Sequence, residues 1–431
     1  MIGFLLQLTI ILIIILILIR PSIGICLYIA YFFLVPSMGL SMLGLDSTET
    51  TVLIAFCFIA TILGNKYKIK KIDYSPLIPF FILYSVLFCL TFFSSQLVPL
   101  FFSTKDFIRY SFQTFIIPTC IYTLISCKPV MLKEVNKTMI VVITIIVVYG
   151  LFLTLIPGTN PYIEFLSDEI NLLEYRKGTD DGRLFGAISS VFNHPMSYGI
   201  FLGFAFFYII YSYKYIGQKS STFLFLISLV FLSTLLCGVR SSLASLIGTG
   251  FVYLLLKRKV KLLIKAAFLG GIVLYVISLI PELNAYVGSM FQMDSDDVSG
   301  SSINQRLAQL EASVFEIRNN LLFGNGYAWH SYYLYMNDLA HPLLHGWESL
   351  LFVAITDSGF IGVGVWIVFS IYYCLKIKDI ELICLFSYFM FYRLITGTFG
   401  EEMFYVFYAL ILCARNNYPI IHKRTLIRTI I

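Results

Sequence analysis

Charge is what this chain has least of. Only 13% of its 431 residues are Asp, Glu, Lys or Arg, against roughly 25% in an ordinary soluble domain. Mean hydropathy is +0.87. So little polar material cannot cover a water-soluble globule of this size. Cysteine is also missing where it would matter. All nine (26, 57, 89, 120, 127, 237, 374, 384 and 413) lie in or beside apolar runs. That placement argues against a disulfide framework or a thiolate metal centre, and the thiols read as small hydrophobes in packed helices. There is no P-loop, no HExxH zinc motif, no GxGxxG and no Asp-rich motif beside a basic turn, so a nucleotide-activated donor handled inside the cell is not expected. The aspartates at 294, 296 and 297 stand among Ser and Gly, which favours a solvated loop over a metal site. The sequence shows no internal repeat, linker or second soluble domain, so residues 1–431 read as one domain. The apolar stretch 3–19 lacks a basic leader and a small-residue cleavage site, and is expected to be a retained span.

What the chain does have is long apolar runs. About 20 residues cross a ~30 Å hydrocarbon core, and candidate spans fall at 3–19, 22–40, 51–64, 76–94, 106–127, 138–157, 190–213, 222–239, 241–256, 266–281, 348–375, 380–398 and 400–414. Their continuous apolarity favours helices over the ten-residue alternation of a barrel. The expected fold is all-α: a polytopic membrane protein with about 12–13 transmembrane helices and two large polar loops. Most of the thirty Lys and Arg residues crowd into short turns at 66–71, 128–137, 214–219, 257–265 and 376–378 and into the tail from Arg415. Basic short loops mark the cytoplasmic side, so the net charge of +6 signals topology rather than nucleic acid. The C-terminus is then inside. The loops at 158–189 and 282–347 lie outside. Strict alternation puts the N-terminus outside too, although Arg20 is the only charge in the first two spans.

The outer loops are where chemistry is expected. In the second, Ile303, Leu307, Leu310, Val314, Ile317 and Leu321 recur at helical spacing and predict an amphipathic helix with Arg306 off the apolar stripe. Arg240 occupies a tight outer hairpin between two apolar helices, where a guanidinium's forked, permanent charge suits a phosphate or pyrophosphate; snorkelling to lipid headgroups is the alternative. Arg183 and Arg306 are further outer arginines, either of which also reads as a solvated surface charge. His341, His345 and Glu348 stand just before the span near Trp347, placed to take a proton from an attacking hydroxyl, with His194 and His330 as competitors. Asp357 and Arg393 lie inside spans, where ionisable residues are normally paired or face a cavity.

Three stretches together resemble the O-antigen polymerase and O-antigen ligase superfamily of bacterial envelope glycosyltransferases. They are Arg183-Leu-Phe-Gly-Ala with Asn193-His-Pro; Gly238-Val-Arg240-Ser-Ser-Leu-Ala-Ser-Leu; and Arg306 with Phe323-Gly-Asn-Gly326 and Asp357-Ser-Gly359-Phe-Ile-Gly362. The resemblance covers about 140–400. It implies a fold like other multi-span glycosyltransferases of lipid-linked sugars, in the bacterial inner membrane with the large loops periplasmic. It implies a glycan donor on undecaprenyl pyrophosphate, held at Arg240 and Arg306 with Arg183 as a third cation. It further implies inverting transfer with no cofactor and no required metal, and partners limited to lipid-linked oligosaccharides, membrane lipids and a chain-length regulator, with no nucleic acid. Where the family has a His-Asn pair about eleven residues before the glycine, this chain has Glu348, with His345 three residues earlier. The base is therefore His345 shifted in spacing, or Glu348 itself. A polymerase of surface polysaccharide repeat units is the leading expectation, since nothing singles out a lipid A core acceptor. A ligase or a lipid-linked oligosaccharide flippase is the alternative.

Overall fold

A computed structural model describes residues 2–35, 46–64, 72–156, 159–166, 188–217, 220–259, 303–337, 341–344, 346–377, 379–397 and 401–430, with isolated positions between 261 and 275. The described residues are helical, without strands. The helices are α1 (Ile2–Ile19), α2 (Pro21–Leu34), α3 (Ser47–Gly64), α4 (Ile78–Leu90), α5 (Leu100–Tyr110), α6 (Ile117–Cys127), α7 (Met131–Leu153), α8 (Pro161–Leu166), α9 (Pro195–Ile216), α10 (Ser220–Leu236), α11 (Arg240–Leu256), α12 (Ile303–Glu316), α13 (Trp329–Asn337), α14 (Leu350–Lys376), α15 (Ile380–Thr396) and α16 (Glu401–Ile430). A π-helical segment, Ser111–Ile116, joins α5 to α6. Four helices (α3, α7, α9 and α14) are long and apolar enough to cross a membrane, and several shorter apolar helices accompany them. This is the signature of a multi-pass membrane protein. The candidate span at 266–281 lies largely outside the described residues.

Local chemistry sets the helix boundaries. α9 begins where Pro195, with no N–H to leave unsatisfied, follows His194, whose side chain accepts from the Met196 amide at 3.2 Å. It stops at Gly217, which takes the left-handed conformation. Ser349 caps α14 by accepting from Leu351 N at 3.2 Å, and Asp379 caps α15 by accepting from Glu381 N at 3.1 Å. A single apolar core then runs through the bundle from Ile10 to Ala414. Aromatic rings make up much of it. Phe80, for example, meets Phe369, Tyr373, Phe386, Phe404, Tyr405 and Tyr408, with ring centroids 5.2–6.1 Å apart. Buried tyrosine hydroxyls find partners, as when Tyr208 and Ser212 both donate to Asn136 Oδ1.

Polar contacts sort the loops into two ends. One end, inner by the charge rule, brings together Asp73, Tyr74, Tyr122, Thr123 and Asn416, the Lys214–Glu381 pair and the Arg415–Asp379 pair. The other collects the loop after α4, the turn before α11, the α12–α13 segment and the start of α14, around a second, smaller apolar cluster that includes Val98, Trp329, Leu344, Trp347 and Phe352.

α12 forms where the periodicity predicts a helix, and the face it buries is mixed. Its buried side chains are Gln309, Ala312 and Ser313, followed by Ile317 just beyond its end, whereas Leu307, Phe315 and Leu321 are exposed. The apolar stripe is thus split: Ile317 is buried and Leu310 packs on the smaller apolar cluster, while Leu307 and Leu321 are exposed. Arg306, Gln309 and Ser313 turn toward the protein, and Glu311 is exposed.

A candidate active site at the outer mouth

The outer end is organised by a break in α14. Gly359 adopts φ 64°, ψ −165° inside an otherwise continuous helix, a conformation open to glycine at little cost. The backbone groups freed there are taken up by the segment 321–326. Asn325 N donates to Thr356 O (3.0 Å) and Gly326 N to Asp357 O (2.9 Å), while Phe360 N and Ile361 N donate to the carbonyls of Leu321 and Leu322 (3.0 Å each). On its other flank the segment accepts from Ser95 N and Leu97 N. Non-helical backbone at membrane depth survives only when satisfied in this way. Tyr327 is fixed next, its amide donating to Thr91 Oγ1 and its carbonyl accepting from Ser103 Oγ.

This seam delivers α13 to the broken helix. Asp357 faces His330 with both carboxylate oxygens: Oδ1 accepts from the His330 backbone amide at 3.0 Å, and Oδ2 lies 2.8 Å from Nδ1. Ser331 Oγ lies 3.1 Å from Nε2. Burial pulls the imidazole pKa down, but Asp357, with Asp106 behind it, outweighs that and raises it above the ordinary histidine value. Asp106 is itself paired with Arg109 at 2.5 Å. Ala328 and Trp347, one on each side of this region in sequence, both hold positive φ (64° and 54°), the kind of backbone strain that collects at functional sites.

The expected site residues divide into four groups. Arg306 and Glu348 come together: the guanidinium donates to the Glu348 carbonyl at 3.0 Å and lies 3.8 Å from its carboxylate. Burial lowers the Arg306 pKa from its ordinary value, partly offset by Glu348. One turn along α12, Gln309 is fully buried, and among the described residues neither amide atom has a hydrogen-bond partner, an unusual state for a native side chain. Arg240 stands apart in sequence as the first residue of α11, after a turn in which Cys237 O accepts from Ile188 N and Gly238 takes φ 71°. α11 packs along α15, and the outer end of α15 meets Ser349, whose hydroxyl donates to Leu394 O. Both arginines thus lie at the outer end of the bundle, around α15. His341 occupies a scaffold position. Its Nδ1 accepts from the amides of Leu343 and Leu344 (3.2 and 3.0 Å), which leaves the proton on Nε2, 3.4 Å from Glu316. Tyr333 and Trp347 enclose the ring. Arg183 and His345 lie outside the described residues.

Each of the two intramembrane ionisable residues has a partner. Arg393 pairs with Glu401 at 2.5 Å and lies over the rings of Trp366 and Phe389; Glu401 also accepts from Tyr84. Asp357 holds His330. Among the described residues, no group of three or more His, Cys, Asp or Glu is placed to hold a metal ion.

Comparison of the chain with protein-family models, with curated proteins and with solved structures gave no match in any of the three.

Proposed function

We propose that this protein is a membrane glycosyltransferase of the surface-polysaccharide polymerase type. It would transfer a glycan from undecaprenyl pyrophosphate to the sugar of a second lipid-linked repeat unit, at the periplasmic face of a bacterial inner membrane crossed about 12–13 times. The observation that carries the reading is the Arg306–Glu348 pairing at the outer end of the bundle. The guanidinium, only 31% exposed, is aimed by its bond to the Glu348 carbonyl at 3.0 Å, while its carboxylate contact at 3.8 Å is loose. An arriving diphosphate, with more charge and more acceptor oxygens, competes well for it. As the glycosyl–oxygen bond breaks, negative charge gathers on the departing diphosphate, and fixed cations at that position stabilise it more than they stabilise the substrate. Arg240 at the mouth of α11, and Arg183, would complete the cationic grip. The sequence resemblance over about 140–400 supports the same chemistry.

The test is turnover by purified full-length protein in detergent, with lipid-linked repeat units supplied and the products resolved by size. The expected result is a ladder spaced by one repeat unit, with undecaprenyl pyrophosphate released. Arg306→Ala should lower kcat/KM by about 100-fold or more, and Arg306→Lys should fall between the two, since a point charge loses the forked geometry. Absence of products from the wild-type protein, with both lipid-linked substrates bound, would end this reading. A flippase would likewise give no ladder, because a micelle offers nothing to cross.

A further inference from the structure

We propose that His330, gripped by Asp357, is the base that takes the proton of the acceptor hydroxyl. This rests on the glycosyl-transfer reading above and assigns a role to residues that it leaves unused.

The argument begins with the geometry of the carboxylate. Asp357 spends one oxygen on the backbone N–H of His330 and the other on Nδ1 of the same residue. A side chain held at its backbone and its ring by one carboxylate has little freedom to turn. The contact also fixes the tautomer: an ionised carboxylate only accepts, so Nδ1 carries the hydrogen and Nε2 presents its lone pair. At 3.1 Å from Nε2 stands Ser331 Oγ, a hydroxyl that engages the lone pair and that an acceptor sugar hydroxyl would displace. The side chain is 18% exposed, so the dyad is sheltered without being sealed. His341 shows the opposite arrangement, its Nδ1 lone pair consumed by two amides and its Nε2–H directed at Glu316. Glu348 is engaged by Arg306.

The step balances simply. The acceptor O–H bond breaks and its proton moves to Nε2. The freed oxygen pair forms the new bond to the donor's anomeric carbon, and the glycosyl–oxygen pair leaves with undecaprenyl pyrophosphate. Imidazolium and carboxylate then form an ion pair, which is why Asp357 stabilises the protonated state. The charged groups acting on the ring are Asp357 on α14, Asp106 on α5 and Arg393 on α15, with Arg109 paired to Asp106.

The experiment measures kcat/KM against pH for wild-type protein, His330→Gln, Asp357→Asn and Glu348→Gln, using full-length protein and lipid-linked repeat units. Wild-type activity should rise with pH through the raised His330 pKa. His330→Gln should lose about 100-fold or more and the acid limb with it. Asp357→Asn keeps the shape of the side chain but removes its charge, so the limb should move to lower pH; a merely structural clamp would leave it in place. Glu348→Gln should keep the limb. The proposal is overturned if the limb persists in His330→Gln, stays put in Asp357→Asn, or disappears in Glu348→Gln. Absence of turnover by the wild-type protein sinks the glycosyl-transfer reading itself, and this proposal with it.

Discussion

Gln309 shows how much one side chain can imply. Its amide is fully buried and makes no hydrogen bond among the described residues, a state that costs about 1–3 kcal/mol relative to a satisfied group. Such a group calls for a partner, either a water or a bound ligand. Its neighbour one turn back is Arg306. Gln309→Met is therefore expected to stabilise the protein by on the order of 1 kcal/mol, seen as a higher unfolding midpoint in detergent, while lowering activity. A more stable protein with full activity would show that the amide serves no ligand. Histidine illustrates the same point about environment. Three residues of one type lie within the stretch 330–345, and the two that are described have their ring nitrogens committed in opposite senses.

At the scale of elements, the break in α14 governs the outer end. Gly359→Ala would drive a Cβ into the Leu322 carbonyl at a φ that side chains rarely adopt. It is expected to lower stability by about 1–3 kcal/mol and to free the 321–326 seam, which would show as faster exchange of the Asn325, Gly326, Phe360 and Ile361 amides. Unchanged protection of those four would mean the glycine is dispensable. The α15–α16 hairpin is clamped by Arg393 and Glu401, both buried. Arg393→Ala leaves a buried carboxylate without its cation and should cost about 3–5 kcal/mol; the double variant Arg393→Met, Glu401→Gln should recover much of that loss. If thermal unfolding shows both variants equally destabilised, then shape and not charge holds the hairpin. The amphipathic pattern of α12 was readable in the sequence, but the direction it faces was not. Periodicity reports that a helix has two sides, and only the surrounding medium decides which side turns inward. Here the inward face is mixed, with Ile317, Ala312, Gln309 and Ser313 buried while Leu307 and Phe315 stand outside.

At the scale of the molecule, composition and run length were enough to foretell that the described residues would be helical and without strands, because the bilayer admits so few solutions. The four long helices α3, α7, α9 and α14 fall on expected spans. Others are shorter than the runs suggested: the stretch read as one span at 106–127 divides into the end of α5, a π-helical segment and α6, with Pro118 at its junction. The site was less legible. Arg306 and Glu348 are 42 residues apart and His330 and Asp357 are 27 apart, so no local spacing joins them. They meet only because Gly359 breaks a helix and a loop fills the gap. Sidedness remains open to direct measurement. Single cysteines placed at Asn337 and Lys128, both exposed, in an otherwise cysteine-free protein should differ in intact cells: a membrane-impermeant maleimide should label the first and not the second. The reverse pattern would invert the orientation and move the proposed chemistry to the cytoplasm.

The seam at 324–326 is bonded on both flanks, so α12 and α13 are not tethered lids that wave above the bundle. Whatever seizes α12 tugs, through a few rigid amides, on the peptide of Asp357. If α12 holds the donor as proposed, its capture and the aim of the neighbouring imidazole would be geared together, and a remote change in the α4–α5 turn should blunt turnover without touching either reactant.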